Sequence, residues 1–186
     1  MAEGAPGYSA AAKTLHWLVA AIVVALIPIG LVMANLDPGP LQDRLFVLHE
    51  SFGVVVLALM LLRFGVRLRD APAEWPSLTA TERAASRIVH HALYLVLLLT
   101  PVVGWLALSA YGLGPSFFGL GKLPALIGKD EPLSKLLFGA HEAGGLLIAA
   151  LVVVHVGGAL RHALVKRDQL VWRMLPASAT LRQGSQ

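Results

Sequence analysis

The stretch 136–165, LLFGAHEAGGLLIAALVVVHVGGALRHALV, decides the fold. Its only acidic residue is Glu142 and its only arginine is Arg161. A helix needs about 20 apolar residues to cross a bilayer core, and this run exceeds that without a proline. Three histidines lie in it; His141 and His155 fall within its apolar part and His162 near its end. Fourteen residues at a rise of about 1.5 Å separate the first two by roughly 21 Å, and at about 3.6 residues per turn they share one helix face. One helix therefore presents two imidazoles, one near each membrane surface. Ionisable groups at such depths are costly, and they usually mark function.

Outward from this segment, three more runs have the length and composition of membrane spans. They cover about 15–36, 46–66 and 88–110. With the fourth they predict an all-α, four-transmembrane-helix bundle, up-down-up-down, forming a single membrane domain over 1–186. The bulk numbers agree: 56% of the 186 residues are hydrophobic, only 14% are charged, and the mean hydropathy is +0.70. A soluble domain carries roughly a quarter charged residues. The first run is longer than the apolar core of a signal peptide and opens on His16-Trp17, so it reads as a retained helix. Asp37-Pro38-Gly39-Pro40 ends it, Pro72 and Pro76 break the second connection, and Thr79-Ala80-Thr81-Glu82 has the form of a capping box that starts a helix. The third connection is rich in Gly and Pro and holds Phe117, Phe118 and Leu120, which suit a segment folded back onto the bilayer surface.

Eleven of the fifteen basic residues fall on one side of this topology: Lys13, Arg63, Arg67, Arg69, Arg83, Arg87, Arg161, Lys166, Arg167, Arg173 and Arg182. The positive-inside rule puts that side, and both termini, in the cytoplasm. The net charge of +4 thus reads as membrane orientation. It forms no patch with base-stacking aromatics, so nucleic acid is not an expected partner. The absence of cysteine excludes disulfides, iron–sulfur clusters, thiolate-ligated haem and covalent c-type haem.

Topology pairs the histidines by depth. His16 opens the first helix and His155 lies toward the end of the fourth, both near the cytoplasmic surface. His49 opens the second helix and His141 the fourth, both near the outer surface. Paired neutral imidazoles on facing helices suit a metal-containing cofactor held in a bundle, and haem iron is the expected metal of His16, His49, His141 and His155. Gly53, Gly139, Gly144, Gly145, Gly157 and Gly158 beside these histidines suit a flat disc, and equally bare helix contact. Two readings compete. A histidine-lined metal or proton path could use Glu50 and Glu142, and a cofactor-free scaffold leaves the matched depths unexplained. His90, His91 and His162 read as interfacial residues, or, more sharply, as contacts or proton relays for a haem propionate or a quinone. Arg63 and Arg67 suit propionates but also an ordinary cytoplasmic helix end.

Taken in order, the residues resemble the bacterial cytochrome b561 family over about 8–176. The matching motifs are Leu15-His16-Trp17-Leu18, Leu48-His49, Leu62-Arg63, His90-His91-Ala92-Leu93-Tyr94, Pro101-Val102-Val103-Gly104, Phe117-Phe118-Gly119-Leu120, Leu123-Pro124, His141-Glu142, His155, Ala159-Leu160-Arg161-His162, Arg167-Asp168-Gln169-Leu170 and Arg173-Met174-Leu175-Pro176. The resemblance implies an inner-membrane protein with two haem b, one held by His16 and His155 and one by His49 and His141. Read from the residues themselves, Arg63, Gly53, His90 and His162 are further candidate cofactor contacts; the resemblance makes ubiquinone the expected substrate or bound acceptor. It implies superoxide oxidation coupled to ubiquinone reduction, or else a cytochrome b subunit linking quinone to a periplasmic redox enzyme. The outer charges do not favour superoxide, an anion. Arg44, Lys122, Lys129 and Lys135 stand against Asp37, Asp43, Glu50, Asp130, Glu131 and Glu142, a net of −2. No side chain is expected to act as a catalytic acid or base at the outer haem.

Overall fold

In a computed structural model, residues 7–70, 75, 78–168 and 170–175 are described. Pro72, Pro76, Gln169, Pro176 and Arg182 lie outside them. Four helices carry the chain: α1 (Ala10–Asn35), α2 (Pro40–Arg69), α3 (Ala80–Tyr111) and α4 (Glu131–Leu160). All four are long and apolar enough to cross a membrane. α4 runs on into a π-helical turn, Arg161–Lys166, followed by a short 3-10 turn, Leu170–Met174. Among the described residues there is no strand, only an isolated bridge between Ser116 and Lys122.

The helices begin five, six, eight and five residues before the apolar runs do, because capping groups rather than hydropathy fix a helix end. The Ser9 hydroxyl accepts from Ala12 N (3.3 Å), Pro40 opens α2, and Asp130 accepts from Leu133 N (3.0 Å). Thr79 and Glu82 complete the capping box reciprocally, at 3.3 and 3.0 Å. Pro28 and Pro101 sit inside α1 and α3 without ending them.

Small residues let α3 and α4 approach closely, as expected where lipid offers no hydrophobic drive. Ala107 and Ala110 are fully buried, Ser134 Oγ donates to the Ala107 carbonyl (3.1 Å), and a Cβ on Gly144 would lie 2.6 Å from Thr100 Oγ1. The central core joins Val19, Val23, Val56, Met60 and Ile148, with Leu26, Tyr94, Leu97, Leu98 and Val152 around it. Elsewhere the large apolar side chains point outward; Leu68, Leu136, Val153 and Val165 are each at least 70% exposed. Such a surface suits lipid.

The segment between α3 and α4 does not simply lie outward. Gly112 leaves α3 in the left-handed region (φ 101°), and the chain then folds back on α2. Glu50 accepts from Ser116 N (2.6 Å), and the buried Ser51 hydroxyl accepts from Phe118 N (2.7 Å). Phe118 meets Phe52 edge to face. Of Phe117, Phe118 and Leu120, Leu120 stands well clear, 86% exposed. The surface-lying segment read from the sequence is thus a strap whose backbone is tied to the Glu50 and Ser51 side chains of α2, by hydrogen bonds that hydropathy does not encode.

Candidate functional site

Each end of the central core carries a pair of imidazoles. At one end the rings of His16 and His155 are 6.1 Å apart, centre to centre. At the other, those of His49 and His141 are 5.9 Å apart. A metal bonded to one nitrogen of each ring at about 2 Å holds the ring centres roughly 6 Å apart, so both pairs have the spacing for axial ligation. His90 also reaches His155, at 5.2 Å, which is short for a metal between them. Among the described residues no three or more His, Asp or Glu side chains group to hold a bare ion. Imidazole pairs suit a cofactor that supplies its own equatorial nitrogens, as haem does.

The surroundings fix the ring chemistry. His141 Nδ1 lies 2.9 Å from the Thr100 carbonyl. A carbonyl only accepts, so Nδ1 carries the hydrogen and Nε2 keeps the lone pair that a metal needs. A Cβ on Gly104 would come within 2.8 Å of His141 Cε1 and Nδ1, and one on Gly30 within 3.0 Å of His49 Cε1. His49 Nδ1 is buried without a hydrogen bond of good geometry, near the Leu26 carbonyl. His16 packs edge-on against Trp17 (5.3 Å), whose indole N–H donates to the Met174 carbonyl (2.8 Å). That bond ties the C-terminal turn to the first helix. Arg63 donates to the Ala12 carbonyl (2.9 Å) and lies 5.7 Å from the Tyr94 ring centre, with its charge in reach of His16, His90 and His155.

The glycines expected to flank a disc divide in two. Gly144 packs on Thr100, whereas a Cβ on Gly53, Gly139, Gly145, Gly157 or Gly158 would meet nothing within 4 Å. Of the remaining histidines, His91 bonds the Arg87 carbonyl (2.7 Å). His162, 8% exposed, pairs with Asp168 (2.6 Å). Neither makes a ring contact with the paired imidazoles. Glu142 is exposed, and Glu50 holds the strap.

Reading the sequence for histidines alone missed Gly30, Thr100 and Gly104 as ring neighbours. A signal for the two glycines was present. His16 and Gly30, His49 and Arg63, His90 and Gly104, and His141 and His155 are each 14 residues apart. Every helix thus contributes one residue to each of two layers: His16, Arg63, His90 and His155 in one, Gly30, His49, Gly104 and His141 in the other.

The chain matches the family model described as prokaryotic cytochrome b561 over residues 7–177. It is similar to cytochrome b561 homolog 2 of Escherichia coli, 29% identical over 175 residues covering 93% of each chain. It is also similar to cytochrome b562 of Cereibacter sphaeroides, 28% identical over 91% of this chain and 96% of that one. A third relative is the probable superoxide oxidase CybB of Yersinia pestis, 25% identical over 91% of this chain and 96% of that one.

Proposed function

The chain belongs to the prokaryotic cytochrome b561 family, a multi-pass bacterial membrane protein whose family cofactor is haem b, and on that footing we propose that it is a di-haem relay. It takes single electrons from a periplasmic donor and delivers them to the quinone pool. The observation that carries this reading is the stacking of two imidazole pairs, 6.1 and 5.9 Å across, on either side of one apolar core. The helices run up-down-up-down as a single membrane domain, with both termini in the cytoplasm. Support comes from His16 meeting His155 while His49 meets His141, from Arg63 near the end of α2 bonding Ala12 near the start of α1, and from the side that carries most of the basic residues.

His16 and His155 would hold the cytoplasmic haem b, and His49 and His141 the periplasmic one. Bound haem supplies a reversible one-electron centre, tuned by its ligands, their hydrogen bonds and its burial. The chain does the rest. Thr100 orients His141, Trp17 steadies His16, and the open faces at Gly53 and Gly157 leave room for a disc. Arg63 balances charge at the cytoplasmic pair. The strap from Ser116 to Phe118 covers α2 beside His49. The favoured reaction is superoxide oxidation coupled to ubiquinone reduction: two superoxide ions each lose an electron and leave as dioxygen, and ubiquinone takes both electrons and two protons to become ubiquinol. Support for this donor comes from the relative in Yersinia pestis, a probable superoxide oxidase.

The test is the visible spectrum of the detergent-purified protein before and after dithionite, with haem quantified per chain, followed by superoxide loss in the presence of ubiquinone-1. Two low-spin b haems per chain and quinone-dependent superoxide loss are expected. A colourless protein from haem-replete cells refutes the relay and returns attention to ion transport. Two haems without superoxide activity, together with a co-purifying periplasmic enzyme, would favour a subunit role.

A further inference from the structure

The chain leaves α4 in an uncommon conformation. Residues Arg161–Lys166 form a π-helical turn, and Arg167 follows in the left-handed region (φ 52°). Such conformations persist only where the surroundings hold them. Two side chains do so. Glu82, in the first turn of α3, accepts from Arg161 (2.6 Å) and from Lys166 (2.7 Å). Asp168 accepts from Nδ1 of the buried His162 (2.6 Å) and from Leu170 N (3.2 Å). One side chain thus joins the π-helical turn to the start of the 3-10 turn, Leu170–Met174. The direction in which the chain departs from α4 is thereby set, back across the end of the bundle that carries His16.

The 3-10 turn then meets the other chain segments at that end. The guanidinium of the buried Arg173 lies 5.2 Å from the ring centre of Tyr8, just before α1, and 5.2 Å from that of Trp75, between α2 and α3. A guanidinium over two aromatic rings, shielded from water, is a firm anchor. The Arg173 carbonyl lies beside Gly7, 3.8 Å from where a Cβ would be. The next carbonyl, of Met174, accepts from the Trp17 indole (2.8 Å), and Trp17 packs edge-on against His16 (5.3 Å). Trp17 is 47% exposed, so packing alone leaves its ring free to change rotamer. The carbonyl acceptor fixes one orientation of the indole, and with it that of the imidazole packed on it. His141 takes its orientation directly from the Thr100 carbonyl; His16 takes it from a neighbour that is itself held.

We propose that the C-terminal turn, Leu170–Met174, is a clasp that positions His16, with Arg173 as its anchor and the Met174 carbonyl on the Trp17 indole as its point of action. Arg173 and Trp17 both act through His16 and are positioning residues. The inference rests on the di-haem reading, in which His16 is an axial ligand whose orientation and surroundings tune the centre. It makes the His16–His155 site depend on a hydrogen bond between residues 157 positions apart in the chain. The His49–His141 site, at the other end of the core, is independent of that bond.

Full-length Arg173→Ala and Trp17→Phe test it, the second keeping an aromatic ring beside His16 while removing the indole N–H. In the haem-loaded proteins in detergent, the low-spin EPR signals are recorded, that of the His16–His155 site being the one that survives in His49→Ala. Both variants are expected to shift or broaden this signal and to leave the other at its wild-type position; a general loss of stability would lower both alike. In the haem-free proteins, amide hydrogen exchange over 8–17 is expected to quicken by about fivefold in Arg173→Ala, the loss of a shielded cation–π contact, with exchange over 131–141 unchanged. A wild-type His16–His155 signal in both variants overturns the clasp, as does faster exchange confined to 170–175. A signal that shifts in Arg173→Ala and not in Trp17→Phe overturns the assigned point of action. A wild-type protein without haem refutes the relay, and exchange over 8–17 then decides the clasp by itself. Should Arg173→Ala fail to fold, Trp17→Phe decides.

Discussion

The two ends of the bundle solve the same packing problem differently. The layer with His49 and His141 has two imidazoles and two glycines, each glycine in contact with one ring. One imidazole is hydrogen-bonded to a backbone carbonyl and a buried serine nearby holds a strap. The layer with His16 and His155 has three imidazoles and an arginine, no glycine at the corresponding positions, and an exposed seam. Tight contact fixes ligand geometry; an open seam leaves it to packing from outside the layer.

The largest effect should come from deleting ligands, and it should differ between the layers. His49→Ala or His141→Ala leaves no spare imidazole, so haem per chain should fall from two to one and quinone-dependent superoxide loss by more than about a hundredfold, beyond the range for outlying groups of a metal site. His16→Ala leaves His90 in the same layer; with the His90 ring swung away from its 5.2 Å contact with His155, the variant should keep a measurable fraction of its haem. Equal losses in all three variants, by haem quantification per chain, would erase the distinction.

A smaller effect should follow from filling the glycine contacts. Gly104→Val forces atoms into the His141 ring and should destabilise the fold by about 1–3 kcal/mol, lowering occupancy of that site alone. Gly157→Val, where a Cβ meets nothing within 4 Å, should leave thermal unfolding of the haem-free protein unchanged, and any loss of haem it causes would then locate the disc. A more local effect should come from Ser51→Ala, which strips a fully buried acceptor from Phe118 N and costs about 1–3 kcal/mol at the strap. Limited proteolysis between 113 and 124 should accelerate while the spectrum of the His16–His155 site stays unchanged.

Much of this was legible in the sequence, for reasons that can be named. A bilayer demands long apolar helices whose backbones satisfy themselves, so four spans and their number follow from composition. A histidine in such a span is expensive enough to be informative, and alternating direction across the membrane sorts four of them into two depths. The capping box at Thr79 is local chemistry and was readable as such. The strap was not, because Ser51 and Ser116 are far apart in sequence and joined only by hydrogen bonds.

What the sequence alone determined is the class: an all-helical membrane protein with histidines in matched positions of its spans and family motifs over nearly the whole chain, about 8–176. Only the tertiary structure decided which ring meets which neighbour. Helical periodicity brings residues 14 apart to one face, but whether that face looks at lipid, a glycine or another imidazole depends on how each helix is rotated against the others. That rotation is fixed by side-chain packing across the bundle. It is why Gly104 and His90, alike in their spacing, carry such different contacts: one gives up its volume to His141, the other stands beside His155 with a side exposed.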